Sequence, residues 1–485
     1  MPIQPLRCEH EAPELEAGLD RIREEFDVPG PHSAEAVAEA DGAAHAVLSG
    51  LDAPMSGERR DARDLALVTI DPPGSRDLDQ AVHIEHRKAG WRVHYAIADV
   101  PAFVTVGGTL AAEVQERGVT FYLPDERSPL HPPVLGDDAA SLLPGQDRPA
   151  VLWTIDLDAD GTVASAHLER AVVRSRAQLT YAEVQVDVDS GRASETLALL
   201  ADVGRVRQEV EAARDGVSLD LPTRRIVPDG GSYRLDHEIP VPAMGWNAQI
   251  SLLTGMVAAE AMLGADVGLL RTLPSPDDKV IRAVRHTAKA LGVPWPDGAS
   301  YATVVRGLDG ADPDQAALLA LAARGLRGAG YLPLGTGDPR PEDPAALRHA
   351  AVAAPYAHVT APLRRLCDRA TIEVCLALYG DRAVPDELIA QLAELPTAMA
   401  RARARESGAA RAAVDLVEAL LLCARVGEVL DATVVSADEE RSTVVIGTLA
   451  IEATVEGAHL PLGERVSLRV DGADPMARQV RLTPV

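Results

Sequence analysis

The chain has 485 residues, of which 47% are hydrophobic and 25% are charged. These proportions are usual for a folded globular protein and exclude wholesale disorder or a collagen-like fibre. The 73 acidic residues outnumber the 47 basic ones, which gives a net charge of −26. Such a charge argues against a protein that coats nucleic acid through its bulk field, although it leaves room for a local basic channel.

The first 60 residues favour helices. Apolar residues recur there at spacings of three and four, namely Leu15, Leu19, Ile22 and Phe26. Pro29-Gly30-Pro31 is expected to end this helix, and Ser33 is the predicted N-cap of a second one. No apolar core of signal-peptide length begins the chain, and no run of about 18 uninterrupted apolar residues follows. We therefore expect a cytoplasmic protein that does not enter a membrane.

Short strands dominate the region from about residue 65 to 175. They are runs rich in β-branched and aromatic residues between turn signals: LALVTI (65–70), AVHIE (81–85), WRVHYAIADV (91–100) and AVLWTIDLD (150–158). The period becomes helical at about 196–215 and again at 247–265. The second of these segments is apolar nearly all round, which predicts a buried helix.

The C-terminal third combines helices with a final group of strands. Short helices are expected within 296–345, one helix should begin after Pro362, and a longer one should cover about 398–428. From about residue 430 onwards five short alternating runs follow at even spacing. Five strands of this length predict a small OB-like barrel.

The four cysteines include no close pair and no Cys-x-x-Cys, which predicts neither a disulfide framework nor a zinc site. A different kind of site is indicated by VTIDPPGSRDLDQAVHIE at residues 68–85. Residues two apart in an extended backbone point to the same face, so Asp77 and Asp79 can converge, and Asp71 can approach them across the Pro-Pro-Gly turn. Gathered carboxylates require a cation, and oxygen-rich sites suit Mg²⁺ or Mn²⁺. Aspartates that simply favour turns are the alternative explanation.

Four segments in register resemble the catalytic domain of the ribonuclease II family, the RNB domain. They are TIDPPGSRDLDQAV (69–82), HYAIADVPAFV (94–104), RGVTFYLPDERSPLHPPVLGDDAASLLPGQDRPA (117–150) and YAHVTAPLRRLCDRA (356–370). The resemblance covers about residues 62–380 and implies an α+β fold with a mixed sheet packed with helices. We expect a helical N-terminal segment at 1–60, the RNB domain with its C-terminal helices at 61–428, and the OB-like barrel at 429–485.

The resemblance implies 3′→5′ hydrolysis of single-stranded RNA to nucleoside 5′-monophosphates. Divalent metals, Mg²⁺ or Mn²⁺, are expected at the aspartate loop, because a metal pair can orient the attacking water and stabilise the leaving oxygen. We expect no organic cofactor, and we expect a monomer. The alternative is a catalytically weak or inactive family member that binds RNA or scaffolds other proteins.

Seven residues occupy positions to which the family assigns roles. By resemblance the metal ligands are Asp71, Asp77 and Asp79, the catalytic residues are Asp79 and Arg364, and the substrate contacts are Tyr122, Tyr181 and Arg365. A guanidinium suits bidentate binding of a phosphate, and an aromatic ring can stack on any base. Ordinary core tyrosines and surface arginines are the alternative explanations.

The chain also departs from the family pattern. The family loop usually ends in Asp-x-Asp-Asp, whereas this chain has Gln80 at the last position, so the metal site loses a charge. Near the arginine pair, this chain has Ala361 and Leu366 where the family signature has a serine and a tyrosine. We therefore predict that Gln80 weakens the second metal site and the rate. The first 60 residues are too few for the family's two cold-shock-type barrels, and no Phe, Tyr or Trp follows Tyr379.

Overall fold

The computed structural model describes residues 6–7, 12–51, 59–219, 223–229, 232–238, 240–310, 312–437, 440–446, 451–457 and 459–485. Within these ranges the helices are α1 Ala12–Glu25, α2 Ala34–Gly50, α3 Thr109–Arg117, α4 Tyr181–Asp189, α5 Glu195–Ala213, α6 Pro242–Ala265, α7 Asp278–Ala290, α8 Tyr301–Arg306, α9 Pro313–Ala323, α10 Leu366–Tyr379 and α11 Asp386–Cys423.

The strands within the same ranges fall into a large N-terminal group and a C-terminal group. The first group is β1 Leu6–Arg7, β2 Arg60–Asp61, β3 Thr69–Ile70, β4 Gln80–Arg87, β5 Gly90–Ala98, β6 Phe121–Tyr122, β7 Arg127–Ser128, β8 Asp147–Leu157, β9 Val163–Arg174, β10 Gln178–Leu179, β11 Thr223–Asp229, β12 Ser232–Glu238, β13 Gly268–Thr272 and β14 Gly330–Leu334. The second is β15 Val429–Ala437, β16 Arg441–Ile446, β17 Ile451–Glu456, β18 Arg465–Asp474 and β19 Gln479–Pro484.

A five-stranded sheet of order β2-β9-β8-β5-β4 forms the centre of the molecule. Its strands pair antiparallel except for β2 with β9. The core is built on β5 and β8, where Tyr95 and Trp153 are almost completely buried. The predicted strands at 81–85, 91–100 and 150–158 are confirmed as β4, β5 and β8. The predicted strand at 65–70 is too long, because Leu65 donates to the Ala62 carbonyl in a turn and leaves only β3.

Helix α6 is the buried helix that the sequence predicts. By length and composition it could cross a membrane, yet 56% of its apolar window is buried inside the protein. It packs against α5, where a Cβ at Gly204 would lie 2.4 Å from the Cβ of Trp246. The close approach of the two helices therefore requires a glycine at position 204.

Helix α11 begins well before the predicted start near residue 398 and ends before residue 428. Its first turns were missed because Pro396 lies inside the helix, where a proline removes one backbone hydrogen bond. Leu392 and Leu395, on the same helix, are fully buried. Met399 and Ala402 beyond the proline are buried as well, so burial of the apolar face stabilises the helix on both sides of Pro396.

The N-terminal helices are confirmed and pack on the rest of the molecule. Ser33 caps α2, since its Oγ accepts the Ala36 N–H at 3.1 Å. Leu19 and Ile22 of α1 are fully buried against Leu416 and its neighbours on α11. The segment before residue 60 is thus joined to the last helix before the barrel by an apolar contact. The domain boundaries at 60 and 428 stay predictions.

The five C-terminal strands form one antiparallel sheet of order β17-β16-β15-β18-β19, as expected of an OB-like barrel. It has its own small core, which Leu422 at the end of α11 joins. Helices α7, α8 and α9 form another apolar cluster beside it. The ion pair between Arg324 and Glu452, at 2.6 Å, links this cluster to the barrel.

Candidate active site

The aspartate loop begins where β3 ends and is anchored from two sides. The Asp71 N–H donates to the Leu179 carbonyl at 3.0 Å. Ser141 Oγ donates to the Arg76 carbonyl at 2.6 Å and accepts the Leu78 N–H at 3.0 Å. The Ser-Leu part of the third sequence segment therefore holds the loop in place.

Asp79 joins the loop to the arginine segment. Its Oδ1 accepts the Leu363 N–H at 2.7 Å, and its Oδ2 accepts Nε of Arg364 at 3.1 Å. The carboxylate is buried, whereas the Arg364 side chain is 45% exposed. Burial raises the pKa of Asp79 to about 7, although the Arg364 charge opposes the shift. The guanidinium thus has one edge on Asp79 and its other nitrogens open to a ligand, in a site that we call the cleft.

Asp71 lies in the same cleft, close enough to Arg364 for the two charges to interact. Burial raises the pKa of this carboxyl to about 7, against the charge of Arg364. Its Oδ2 and the hydroxyl of the buried Tyr95 have no hydrogen-bond partner among the described residues. Buried polar atoms normally have a partner, so an unpaired carboxylate oxygen here indicates a place for a cation or an ordered water.

Asp77 differs from Asp71, because protein groups occupy both of its oxygens, as they do in Asp79. Its Oδ2 accepts the Tyr122 hydroxyl at 2.7 Å, and its Oδ1 lies 3.0 Å from Nη1 of Arg127. Arg127 also pairs with Asp137. The Tyr122 ring is 50% exposed, so it presents a surface for stacking. Arg127 thus supplies a positive charge on this side of the loop.

Arg365 is directed away from the cleft. Its guanidinium binds both oxygens of Asp368, at 3.0 and 2.8 Å. Asp368 is fully buried and also accepts the Ala361 N–H at 2.6 Å. This pair fixes the turn that presents Arg364. The contacts of Arg365 with Asp368 thus stabilise the fold, and its contact with substrate stays a prediction.

Tyr181 is the first residue of α4 and lies two residues after Leu179, whose carbonyl accepts the Asp71 N–H. Thr180 and Glu183 form a capping box that fixes this helix start. Burial raises the pKa of Tyr95, and the neighbouring Tyr181 and Asp71 add to the shift. The predicted contact residue Tyr181 therefore lies near the cleft, and its role stays a prediction.

Gln80 does more than replace a carboxylate. Its amide Nε2 donates to the Thr360 carbonyl, in the segment that carries Arg364. The side chain therefore ties the start of β4 to that segment. An aspartate at this position could not donate this hydrogen bond.

The residues present fit one divalent cation beside Asp71, near the Asp79 carboxylate that is paired with Arg364. Carboxylate oxygens are the ligands that Mg²⁺ and Mn²⁺ prefer, and Asp71 has an unpaired one. A second ion beside Asp77 fits poorly, because Arg127 already neutralises that carboxylate. Among the described residues, the side-chain oxygens of Asp71, Asp77 and Asp79 do not all lie within 4.8 Å of one another, whereas ligand atoms of His358, Cys367 and Asp368 do. The role of the three aspartates as metal ligands stays a prediction.

The set of His358, Cys367 and Asp368 is a poor metal site. Asp368 is occupied by Arg365. Burial lowers the pKa of His358, and the nearby charges of Arg365 and Arg271 lower it further. A positive field of this kind opposes a second cation.

Two family models match most of the chain. The RNB domain matches residues 59–375, and the RNase II-type exonuclease C-terminal S1 domain matches residues 428–485. The chain belongs to the RNB family. The fold class and the family expected from the sequence are therefore confirmed. This family includes exoribonucleases.

Curated relatives carry exonuclease names. Ribonuclease R of Escherichia coli (strain K12) is 29% identical over 329 residues, which cover 64% of this chain and 39% of the relative. The exosome complex exonuclease RRP44 homolog A of Arabidopsis thaliana is 29% identical over 350 residues, 67% of this chain and 36% of the relative. The RNB chain thus spans less than half of the length of either relative.

Solved structures share the fold. Mycoplasma genitalium RNase R in complex with ribose-methylated single-stranded RNA has a TM-score of 0.84 at 18% identity, covering 97% of this chain and 78% of that one. Yeast Ssd1, a pseudonuclease, has a TM-score of 0.69 at 17% identity, covering 94% and 57%. The RNB fold thus occurs in a nuclease and in a pseudonuclease.

Two residues of the cleft were not foreseen. Tyr95 lies in the quoted segment HYAIADVPAFV, and an aromatic beside a polar motif is a usable signal in a chain with 3% aromatic residues. Arg127 also lies in a quoted segment (117–150), but nothing in that segment relates it to Asp77, which it reaches only through the β6–β7 pairing.

Proposed function

We propose that this RNB protein is a metal-dependent exoribonuclease that shortens single-stranded RNA from its 3′ end and releases nucleoside 5′-monophosphates. The observation that carries the proposal is the meeting of Asp79 and Arg364 in one cleft, beside Asp71 and the exposed ring of Tyr122. A phosphodiester transition state gathers negative charge, and a guanidinium and a cation on carboxylates are the groups that stabilise it.

The roles follow from these positions. Asp71 and Asp79 would hold one Mg²⁺ or Mn²⁺, which when bound would polarise the phosphate and lower the pKa of a bound water. Arg364 would orient the scissile phosphate with the nitrogens that Asp79 leaves open. Tyr122 would stack on the terminal base while its hydroxyl holds Asp77.

The test uses RNA labelled at its 5′ end, incubated with Mg²⁺ or with Mn²⁺. We expect a ladder of shortened labelled products, whereas the same RNA labelled at its 3′ end should release labelled mononucleotide at once. Asp79→Asn should lower the rate by about 100-fold or more. Asp338→Asn, at an exposed aspartate, is the matched control and should retain the rate.

A second candidate is an RNB protein that binds RNA without cleaving it. The observations that favour it are the neutral Gln80 and the engagement of Asp77 by Arg127. RNA that stays full length with either metal, and that binds equally to the wild-type and Asp79→Asn proteins, would establish this candidate instead.

A further inference from the structure

Helix α7 carries a concentration of positive charge that is unusual in this chain. It contains two of the three lysines of a protein whose net charge is −26, together with two arginines. All four side chains are exposed: Lys279, Arg282, Arg285 and Lys289. No ion pair joins them to an acidic residue in the described part of the chain, whereas Arg324 on the neighbouring α9 end is paired with the barrel.

Three of these cations share one face of the helix. Arg282, Arg285 and Lys289 follow an i, i+3, i+7 spacing, which places them along one side. Like charges so close together repel each other and give the isolated helix no benefit. Val284 and Ala288 are fully buried and hold α7 on its core. The basic face is therefore open to an anionic partner.

An aromatic ring stands beside this face. The Arg285 guanidinium carbon lies 4.9 Å from the ring centroid of Trp295, a cation–π contact. Pro294 and Pro296 restrict the backbone on both sides of the ring, and its Nε1–H donates to the Ala299 carbonyl at 3.2 Å. The ring is thus fixed in place, with the Arg285 guanidinium over its face.

A cavity of about 310 Å³ opens next to this pair. Its walls include Arg285, Lys289, Val293 and Trp295, with Asp297 at one side. The volume lies at the lower end of the range for small-ligand sites, which is appropriate for one nucleotide. Single-stranded RNA presents bases that stack on aromatic and guanidinium planes, and phosphates that cations bind.

We propose that the basic face of α7 and Trp295 bind single-stranded RNA upstream of the 3′ end that occupies the catalytic cleft. The proposal rests on RNA being the substrate, as proposed above. Phosphates lie on Arg282 and Lys289, and one base stacks on the surface formed by Arg285 and Trp295. This contact, in addition to the one in the cleft, allows an acidic protein to bind RNA locally.

The location supports this assignment. Helix α7 ends against the C-terminal barrel, where a Cβ at Gly463 would lie 2.5 Å from the Cβ of Ala290. The barrel contains no Phe, Tyr or Trp, since none follows Tyr379. Trp295 therefore supplies, beside the barrel, the aromatic contact that the barrel lacks.

The test measures binding of 5′-fluorescent RNA to the Asp79→Asn protein by anisotropy, with a long RNA of about 30 nucleotides and a short one of about 6. Arg282→Gln/Lys289→Gln should weaken binding of the long RNA about 10-fold. It should also lower the slope of log affinity against log salt by about 1.4, because two phosphate contacts are lost at about 0.7 each. Binding of the short RNA, which fills only the cleft, should be unchanged.

The matched control is Lys88→Gln/Arg192→Gln, which removes two exposed positive charges elsewhere. It should leave both affinities unchanged. Trp295→Ala should weaken binding of the long RNA at least fivefold, and Trp295→Phe should restore it, since a phenyl ring also stacks.

Equal binding of the long RNA by the α7 variant and its parent would overturn the inference, as would an equal loss for the short RNA or for the control variant. Failure of the proposed function has a separate sign, because the wild-type protein would then leave labelled RNA full length. The binding comparison needs no cleavage, so it decides the role of α7 in either case.

Discussion

At the scale of single residues, Gln80 shows how one hydrogen bond changes an expectation. From the sequence alone, restoring the family carboxylate should raise the rate. In the structure the amide of Gln80 donates to the Thr360 carbonyl, so the residue holds the segment that presents Arg364. The position therefore has a structural function that an aspartate cannot perform.

We expect Gln80→Asp to lower the free energy of unfolding by about 1–3 kcal/mol, because the Thr360 carbonyl loses its partner. The rate on single-stranded RNA should not rise. Thermal unfolding and single-turnover hydrolysis measure the two effects. Gln178→Glu is the control, since the amide of Gln178 makes the same kind of bond to the Ser75 carbonyl at an exposed site. A faster Gln80→Asp enzyme would contradict the structural function.

Arg127 allows a prediction about metal binding. Its guanidinium lies 3.0 Å from Asp77 and also pairs with Asp137. Arg127→Leu frees an oxygen of Asp77 and removes a positive charge near the proposed cation. We therefore expect Mn²⁺ to bind about 10-fold more tightly, a change of about 1.4 kcal/mol.

Calorimetric titration of the RNA-free protein with Mn²⁺ measures this affinity directly, and electron spin resonance counts the bound ions. Arg60→Leu is the control, because Arg60 pairs with Glu169 at 3.1 Å on an exposed part of the central sheet. Weaker Mn²⁺ binding by Arg127→Leu would show that Arg127 supports the metal site, and unchanged binding would show that Arg127 does not limit it; either result contradicts the prediction.

The same residue marks the limit of what the sequence could predict for the site. Asp71, Asp79 and Arg364 could be predicted because each lies in a recognisable motif, and the structure brings them into one cleft. Arg127 could not, because nothing in the local pattern relates it to Asp77. Only the pairing of β6 with β7 and the folding of that hairpin over the loop join the two.

At the scale of elements, helix α1 connects the start of the chain to α11. Leu15, Leu19 and Ile22 are buried in a cluster with α11 residues. Arg23 on the same helix lies 2.6 Å from Asp125, in the turn that follows Tyr122. The N-terminal segment thus supports both the long helix and the loop that carries the proposed stacking ring.

Leu19→Ala should lower the free energy of unfolding by about 2–5 kcal/mol, because it removes a fully buried side chain. Denaturant unfolding followed by circular dichroism measures the loss. Leu51→Ala is the control, because it makes the same substitution at a buried leucine that lies at the end of α2 and outside this cluster. A cost for Leu19→Ala of well under 1 kcal/mol would mean that α1 contributes little to the fold.

The elements also show which parts of the fold the sequence determines locally. The apolar spacing of α1, the cap at Ser33 and the five alternating C-terminal runs are local patterns, and all three were predicted correctly. The start of α11 was missed because Pro396 is a local signal for a break. The burial of Leu392 and Leu395, which outweighs that signal, depends on distant contacts.

At the scale of the whole molecule, the charge of −26 would limit how the proposed RNA substrate is captured. An acidic protein repels a polyanion, so under the proposed function capture would depend on the Arg364 cleft and on the basic face of α7. Asp79 is only 2% exposed. A chain with a free end can enter such a cleft more easily than a continuous strand, which would have to bend back on itself.

We therefore expect circular single-stranded RNA to resist hydrolysis, while the same sequence opened by a single cut is degraded. The circle should also compete with the linear RNA about 10-fold less well than unlabelled linear RNA does, a difference of about 1.4 kcal/mol, since it can contact the α7 face but cannot place an end beside Asp79. Gel analysis of both forms and a competition titration measure these effects. Cleavage of the circle would show that the cleft admits an internal segment, and equal competition would show that the end contributes nothing to capture.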